Sequence, residues 1–142
     1  MNPYTGKCLC EQITYEITGE FGPIFNCHCS KCRRWHGAAF RTRGSITRSQ
    51  FKWLKGEDLL STYDSSDNVS KYFCSNCGSA LISTYKDKPD VIGVPLGGLD
   101  GNVGKPQAHI FVASKSPWYK ITDDLPQFDT WPGSEKFVRK TD

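Results

Sequence analysis

Seven cysteines constrain the fold of this 142-residue chain more than any other feature. An odd number of cysteines cannot all pair within one chain, and the N-terminal segment has no apolar run of signal-peptide length. We therefore predict a soluble cytoplasmic protein whose cysteines bind metal rather than form disulfides. They lie in three groups: Cys8 and Cys10; Cys27, Cys29 and Cys32; Cys74 and Cys77.

Composition and charge argue against nucleic-acid and membrane partners. The formal net charge of +3 counts every cysteine as neutral, and seven thiolates with two zinc ions would bring that charge to zero. Basic residues are dispersed without interleaved aromatic ones, and the apolar runs are far shorter than the roughly 20 residues that cross a bilayer. We expect neither a nucleic acid nor a membrane as a partner, and the sequence leaves the oligomeric state open.

The spacing of apolar residues indicates a mainly β fold. In QITYEIT, residues 12–18, the side chains of Ile13, Tyr15 and Ile17 share one face, which is the pattern of a half-buried strand. The aromatic share of 13% suits an all-β core. Short runs between turn signals predict further strands near 38–43, 50–54, 59–63, 69–74, 80–84, 91–95 and 109–113.

One short helix is predicted inside the middle cysteine group. Ser30 is a good N-cap residue, and the helix is expected to run to His36 and to stop at Gly37. No repeat or linker divides the sequence, so a single zinc-binding domain over residues 1–142 is expected, with residues 129–142 as a C-terminal tail. Apolar anchors in this terminal region are expected at Leu125, Phe128, Trp131 and Phe137.

The first and last cysteine groups together form a candidate structural metal site. Structural zinc takes four soft donors, usually as two close pairs from distant segments, and Cys8, Cys10, Cys74 and Cys77 provide such a set. Gly78 follows the last pair, which is typical of a zinc knuckle. Two alternatives stay open: redox dithiols or buried cysteines, and a closed site that takes two ligands from the middle group.

The middle group has three thiols within six residues and no fourth cysteine. Catalytic zinc has three protein ligands and an open position, so Cys27, Cys29 and Cys32 are candidate catalytic ligands. The flanking cations can offset the charge of a zinc tris-thiolate or bind a carboxylate of the substrate, and a solvated helix face is the alternative. These cations are Lys31, Arg33 and Arg34.

The histidines are expected outside the ligand sets. His28 lies between two cysteines, and adjacent residues cannot all point at one metal, so a supporting or surface role is predicted. His109 alternates with apolar residues and is expected to be a satisfied core or edge histidine. For Trp35 and His36, packing and pocket-lining roles both stay open.

For three further residues, the sequence leaves open whether they face a pocket or pack. Trp118 and Tyr119 of the SPWY segment are expected to anchor the core or a loop. Asp100, in GLDGN, is expected to be a turn residue.

Four segments together resemble a known family: GKCLCEQITYEI, FNCHCSKCRRWHGAAF, KYFCSNCGSALIS and HIFVASKSPWYKITDDLPQF. They are similar to the glutathione-dependent formaldehyde-activating enzymes, whose animal relatives include centromere protein V, and the likeness spans roughly residues 6–128. The resemblance implies one domain of several small coiled antiparallel sheets, similar to the zinc chaperone that acts on Rab GTPases. Glu11 follows Cys10 where the family commonly has glycine, so the turn is expected either to differ or to carry a side chain into the entrance of the site.

The resemblance also implies two zinc ions and a reaction. Cys8, Cys10, Cys74 and Cys77 match the family's structural zinc ligands, and Cys27, Cys29 and Cys32 match its more labile catalytic ligands. The family's namesake activity joins formaldehyde to the glutathione thiol, a carbon–sulfur lyase reaction run in reverse. Two other classes stay open: a non-catalytic zinc module that binds a protein partner, and a redox-responsive zinc protein.

Overall fold

The computed structural model describes residues 3–132 and 138–139, and these are mainly β with one α-helix and several sheets. The predicted anchor Phe137 lies outside the described residues. The helix is α1, Ser30–His36. The strands are β1 Tyr4–Lys7, β2 Thr14–Ile17, β3 Ile24–Cys27, β4 Arg41–Thr47, β5 Phe51–Lys55, β6 Leu60–Asp64, β7 Val69–Cys74, β8 Ala80–Tyr85, β9 Val91–Pro95, β10 Leu99–Asp100, β11 Ala108–Ile110, β12 Gln127–Phe128 and β13 Val138–Arg139.

The chain divides into two compact units. The first unit consists of Met1–Gly22 and Gly44–Gly104, and the second of Pro23–Arg43 and Lys105–Asp142. The single domain expected over residues 1–142 stays a prediction, as does the likeness to the Rab chaperone fold. Within the described residues, no helix combines the length and the apolar character needed to cross a membrane. The cytoplasmic location also stays a prediction.

The first unit is built on antiparallel strand pairs. Strands β10, β1, β2 and β5 form one sheet in that order, and β9, β8, β7 and β6 follow one another in a second antiparallel run. Ile13, Tyr15 and Ile17 are at most 1% exposed, which confirms the face predicted for 12–18. Leu81, Ile92 and Val94 of β8 and β9 complete the same core.

The second unit contains parallel pairs, so the expectation of antiparallel sheets is wrong here. Strand β11 pairs in parallel with β3 on one side and with β12 on the other. Parallel strands need a long connection rather than a hairpin, and about 80 residues of chain separate β3 from β11. Residue 109 of β11 therefore pairs with residue 26 of β3 on one side and with residue 127 of β12 on the other.

Most predicted strands are present with shifted ends. The strand predicted at 91–95 is β9 and that at 69–74 is β7, whereas the one predicted at 38–43 begins later, as β4. The strand predicted at 109–113 ends at Ile110, because Phe111 adopts a left-handed backbone conformation with φ 55° and a short 3-10 turn follows. Strands β1, β3, β10, β12 and β13, of two to four residues each, were not predicted.

Gly56 allows a tight turn after β5 that no other residue type fits. Its φ is +80°, and a Cβ atom there would lie 2.1 Å from the carbonyl oxygen of Gln12. Gly37, at the end of α1, also has positive φ (+59°), but a Cβ atom there would meet nothing within 4 Å. A side chain at Gly37 would therefore cause backbone strain alone, whereas a side chain at Gly56 would cause both backbone strain and a steric clash.

We predict that Gly56→Ala destabilises the protein more than Gly37→Ala. The Gly37 variant has only the left-handed strain, about 1 kcal/mol, whereas the Gly56 variant adds a clash of roughly 1–3 kcal/mol. Urea unfolding of both variants measures the difference. Equal free energies of unfolding would contradict the crowding at Gly56.

Candidate metal centres

Four sulfur atoms of the first unit lie together. The Sγ atoms of Cys8, Cys10, Cys74 and Cys77, here called the tetra-cysteine group, are all within 4.8 Å of one another. Two of the separations are 3.6 Å, from Cys8 to Cys10, and 3.8 Å, from Cys10 to Cys74. Four sulfurs at about 2.3 Å from a tetrahedral zinc ion would be roughly 3.8 Å apart. The donor set therefore fits a structural zinc ion and can hold a metal.

Two tight turns bring these cysteines together. Cys8 directly follows β1, and its sulfur accepts a hydrogen bond from the Ile13 amide at 3.4 Å. Cys74 ends β7, and the Gly78 amide donates to its carbonyl at 2.8 Å, which closes the Cys-x-x-Cys turn. The Leu9 amide donates to the Ser79 hydroxyl at 2.9 Å and joins the two turns.

Glu11 occupies a backbone conformation that favours glycine. Its φ is 65°, which lies in the left-handed region, although its side chain differs from the family's common glycine. The expected difference in this turn stays a prediction. The Glu11 carboxylate is exposed and forms an ion pair with Lys7 at 3.2 Å.

The tetra-cysteine group combines buried and exposed thiols with opposite pKa shifts. Burial raises the pKa of Cys8 to about 11, whereas the hydrogen bond from the Ser79 hydroxyl lowers the pKa of Cys77 to about 5. The hydrogen bond from Asn76 lowers the pKa of Cys10. A buried thiolate at Cys8 needs a cation beside it, which a metal ion supplies.

Three further sulfur atoms lie together in the second unit. The Sγ atoms of Cys27, Cys29 and Cys32, here called the tris-cysteine group, are within 4.8 Å of one another. Cys27 ends β3, and Cys32 lies in the first turn of α1. Both are buried, whereas Cys29 is partly exposed.

The helix α1 has the predicted bounds but a different cap. Its N-cap is Cys29 rather than Ser30, and the Cys29 sulfur accepts a hydrogen bond from the Cys32 amide at 3.3 Å. Gly37 ends the helix in the left-handed conformation, as predicted. One sulfur therefore caps the helix and also belongs to the tris-cysteine group.

The thiols of the tris-cysteine group differ in acidity. Hydrogen bonds from Cys27 and then Cys32 lower the pKa of Cys29. The hydrogen bonds of Cys27 with Cys29 and Cys32, together with burial, raise the pKa of Cys27. The hydrogen bond with Cys27 and the positive charge of Arg41 lower the pKa of Cys32. The hydrogen bond with Cys29 and burial raise it by more, so the pKa of Cys32 lies above its usual value. The group thus favours one thiolate next to two thiols.

Arg41 is a charged residue of this site that sequence reasoning missed. It is only 5% exposed, and its positive charge acts on Cys32. It lay in a predicted strand without a motif, so nothing in the local pattern distinguished it. A buried cation can offset part of the negative charge of a metal tris-thiolate.

The three predicted cations differ in exposure. Lys31 and Arg34 are exposed, and Arg33 is partly buried. The Nε atom of Arg33 is buried and has no hydrogen-bond partner among the residues that the structure describes. Of the three, Arg33 is the one with a buried donor that lacks an acceptor among the described residues.

The histidines lie where the sequence predicts, outside the ligand sets. His28 is fully buried, and its Nε2 atom lies 2.8 Å from Nδ1 of His109. His109 is a satisfied core histidine and also contacts the Asp123 carboxylate at 3.0 Å. His36 and Trp35 are partly buried, which favours neither of their two readings.

The SPWY aromatic residues have different environments. Tyr119 packs against the rings of His28 and Phe40, as expected of an anchor. Trp118 is 71% exposed, so it does not anchor the core, and its expected role as a loop anchor stays a prediction; its ring contacts that of Tyr119 edge-on. Asp100 is exposed and ends β10, one residue before the turn at Gly101.

Comparison with known proteins decides the family. A family model described as glutathione-dependent formaldehyde-activating enzyme matches residues 3–114. The chain belongs to this family. The resemblance to this family is thereby confirmed, and the match ends within the fourth segment, at residue 114.

Curated relatives match this chain over only part of their own length. It is similar to an uncharacterized lyase of Schizosaccharomyces pombe, with 31% identity over 60% of this chain and 60% of the relative. Two proteins named "Putative glutathione-dependent formaldehyde-activating enzyme" also match. The one from Podospora anserina is 35% identical over 54% of this chain and 37% of its own length. The one from Aspergillus flavus is 28% identical over 85% of this chain and 56% of its own length. The chain therefore spans between 37% and 60% of the lengths of these relatives.

A solved structure supports the fold. The crystal structure of a Rhodobacter sphaeroides protein superposes with a TM-score of 0.59 at 25% identity. The match covers 72% of this chain and 96% of that protein.

We predict that the two cysteine groups contribute differently to stability. Cys74→Ser should remove one zinc ion per chain and lower the free energy of unfolding by roughly 3 kcal/mol or more, because a closed site links distant strands. Cys29→Ser should also remove one zinc ion but cost less than about 1 kcal/mol, since serine is itself a good N-cap. Metal analysis and urea unfolding measure both quantities. Equal destabilisation by the two variants would contradict this division of roles.

Proposed function

We propose that the chain is a zinc-dependent carbon–sulfur lyase-like enzyme that forms or cleaves adducts between a small thiol and an aldehyde. The observation that carries the proposal is the unequal donor count: four sulfurs lie together in one group and three in the other. Structural zinc sites are closed by four protein ligands, whereas catalytic sites have three. Glutathione and formaldehyde are the substrates suggested by the family and by the names of its members.

The tris-cysteine group has suitable donors for the reaction centre. A zinc ion bound by three thiolates would supply Lewis-acid chemistry and an exchangeable position at which an incoming thiol ionises near neutral pH. Cys27 and Cys32 are buried and would hold the ion, and the partly exposed Cys29 is the member of the group that solvent reaches.

The proposed reaction is a reversible addition without oxidation or reduction. The thiol sulfur bonds to the carbonyl carbon of the aldehyde, the carbonyl π bond opens, and the proton lost by the thiol goes to the carbonyl oxygen. The reverse step breaks the carbon–sulfur bond and returns the proton to sulfur. No further reactant is required, since the atoms of the adduct are those of the thiol and the aldehyde.

Buried and exposed cations around this group suit an anionic thiol. A divalent ion with three thiolates carries a net charge of −1, and a fourth thiolate makes the charge −2. The buried Arg41 would offset part of this charge. Lys31, Arg33 and Arg34 are the proposed partners for the carboxylates of glutathione.

The activity can be tested by exchange of ¹³C-formaldehyde with its glutathione adduct. Adduct formation is spontaneous, so NMR exchange spectroscopy at equilibrium is needed to measure the added rate. The wild-type protein with two zinc ions per chain should accelerate exchange, and Cys29→Ser should not. A fully metallated wild-type protein that leaves the exchange rate unchanged would overturn the proposal.

We predict that Arg33→Glu weakens glutathione binding by about tenfold or more, because it replaces a charge-assisted hydrogen bond with repulsion. The matched control is Lys88→Glu, which makes the same change in net charge at an exposed residue of the first unit. Titration calorimetry of both variants measures the dissociation constants. Equal weakening by the two variants would show a general charge effect and not a contact at Arg33.

A further inference from the structure

A chain of three hydrogen-bonded side chains ends at the tris-cysteine segment. Nε2 of His28 lies 2.8 Å from Nδ1 of His109, and Nε2 of His109 lies 3.0 Å and 3.2 Å from the two carboxylate oxygens of Asp123. Both imidazoles are fully buried, and the Asp123 side chain is 46% exposed. All three residues belong to the second unit.

The carboxylate sets the direction of every hydrogen bond in this chain. Partial burial raises the pKa of Asp123, but the hydrogen bonds from His109 and the Leu125 amide outweigh that effect, so the pKa lies below its usual value. An ionised carboxylate only accepts, so Nε2 of His109 carries a proton, and in a neutral His109 the Nδ1 atom accepts. Nε2 of His28 must then donate. Both imidazoles are thereby fixed as the Nε2–H tautomer.

The backbone holds the three residues in register. His28 directly follows β3, His109 is the central residue of β11, and Asp123 precedes β12, the other parallel neighbour of β11. The His28 amide donates to the Ile110 carbonyl at 3.0 Å, and the His109 amide donates to the Pro126 carbonyl at 2.8 Å. Each link between side chains therefore has a backbone hydrogen bond beside it.

His28 is the residue between two sulfur donors. It does not belong to the group of atoms that can hold the metal, although Cys27 and Cys29 on either side of it do. Its ring is enclosed by Phe40, with a centroid distance of 5.0 Å, and by Tyr119 at 6.1 Å. A buried ring with one fixed hydrogen bond restricts the backbone of its own residue. It therefore restricts the directions of the sulfur-bearing side chains before and after it.

We propose that His28, His109 and Asp123 form a positioning triad that holds Cys27 and Cys29 in the geometry required to bind metal. The triad acts through the backbone of residue 28 and touches neither metal nor substrate. The inference rests on the proposed function in one respect, the assignment of the tris-cysteine group as a metal site. Loss of an orienting partner beyond the ligands typically weakens metal binding by about 10- to 100-fold.

The test compares Asp123→Ala with Asp124→Ala. Asp124 is the adjacent exposed residue, so the control has the same change in charge and nearly the same position. Chelator competition on the zinc-loaded protein should show about tenfold or greater weakening at the tris-cysteine group for Asp123→Ala only. The tetra-cysteine group is an internal reference and should keep its affinity. Asp123→Asn retains an oxygen that accepts from His109 and should retain most of the affinity.

A spectroscopic measurement separates positioning from general stability. Long-range ¹H–¹⁵N correlation spectra should show His28 and His109 as Nε2–H tautomers in the wild type and in Asp124→Ala. Asp123→Ala should lose this single tautomeric state while its backbone amide spectrum stays folded. Equal metal affinity in Asp123→Ala and Asp124→Ala, or unchanged tautomers in Asp123→Ala, would overturn the proposal.

The same variants distinguish failure of the triad from failure of the proposed function. If the wild type binds no metal at the tris-cysteine group, the proposed function fails at that point. The positioning claim is then decided by the alkylation rates of Cys27, Cys29 and Cys32 in the same proteins. Rates that differ between Asp123→Ala and Asp124→Ala support it, and equal rates overturn it.

Discussion

Clustered cysteine sulfurs repel one another as soon as more than one of them loses its proton, and this repulsion controls both candidate centres. In the tetra-cysteine group, the sulfurs of Cys8 and Cys10 lie 3.6 Å apart in one turn, and the Cys10 sulfur lies 3.8 Å from that of Cys74, in a turn distant in the sequence. Thiolates at such distances require a cation between them. In each of the two turns, a residue with positive φ directly follows the second cysteine: Glu11 after Cys10 and Gly78 after Cys77.

The difference between the two groups follows from where the chain places its donors. Two turns of the first unit contribute two sulfurs each, which completes a tetrahedral set. In the second unit, one short segment from the end of β3 into α1 contributes three sulfurs. Under the proposed function, this segment of six residues would leave one metal position for a ligand from outside the chain. The charge of the buried Arg41 acts on the same group.

Local patterns predicted the features that depend on neighbouring residues. The buried face of β2, the bounds of α1 and the cysteine pairs follow from period, capping and ligand spacing. The parallel pairing of β3 with β11 was not predictable, because it depends on residues far apart in the sequence. Arg41 and Asp123 were missed for the same reason, since neither belongs to a motif and each acquires its role from a distant partner.

The most direct test of the central claim uses cadmium in place of zinc. The ¹¹³Cd NMR spectrum of the fully loaded protein reports each metal separately and responds to a change in its sulfur ligands. The account predicts two resonances, of which one is unaffected by glutathione while the other shifts as a thiolate completes the tris-cysteine group. A single resonance, or two resonances that both stay unchanged or both shift, would contradict the division into one closed and one open centre.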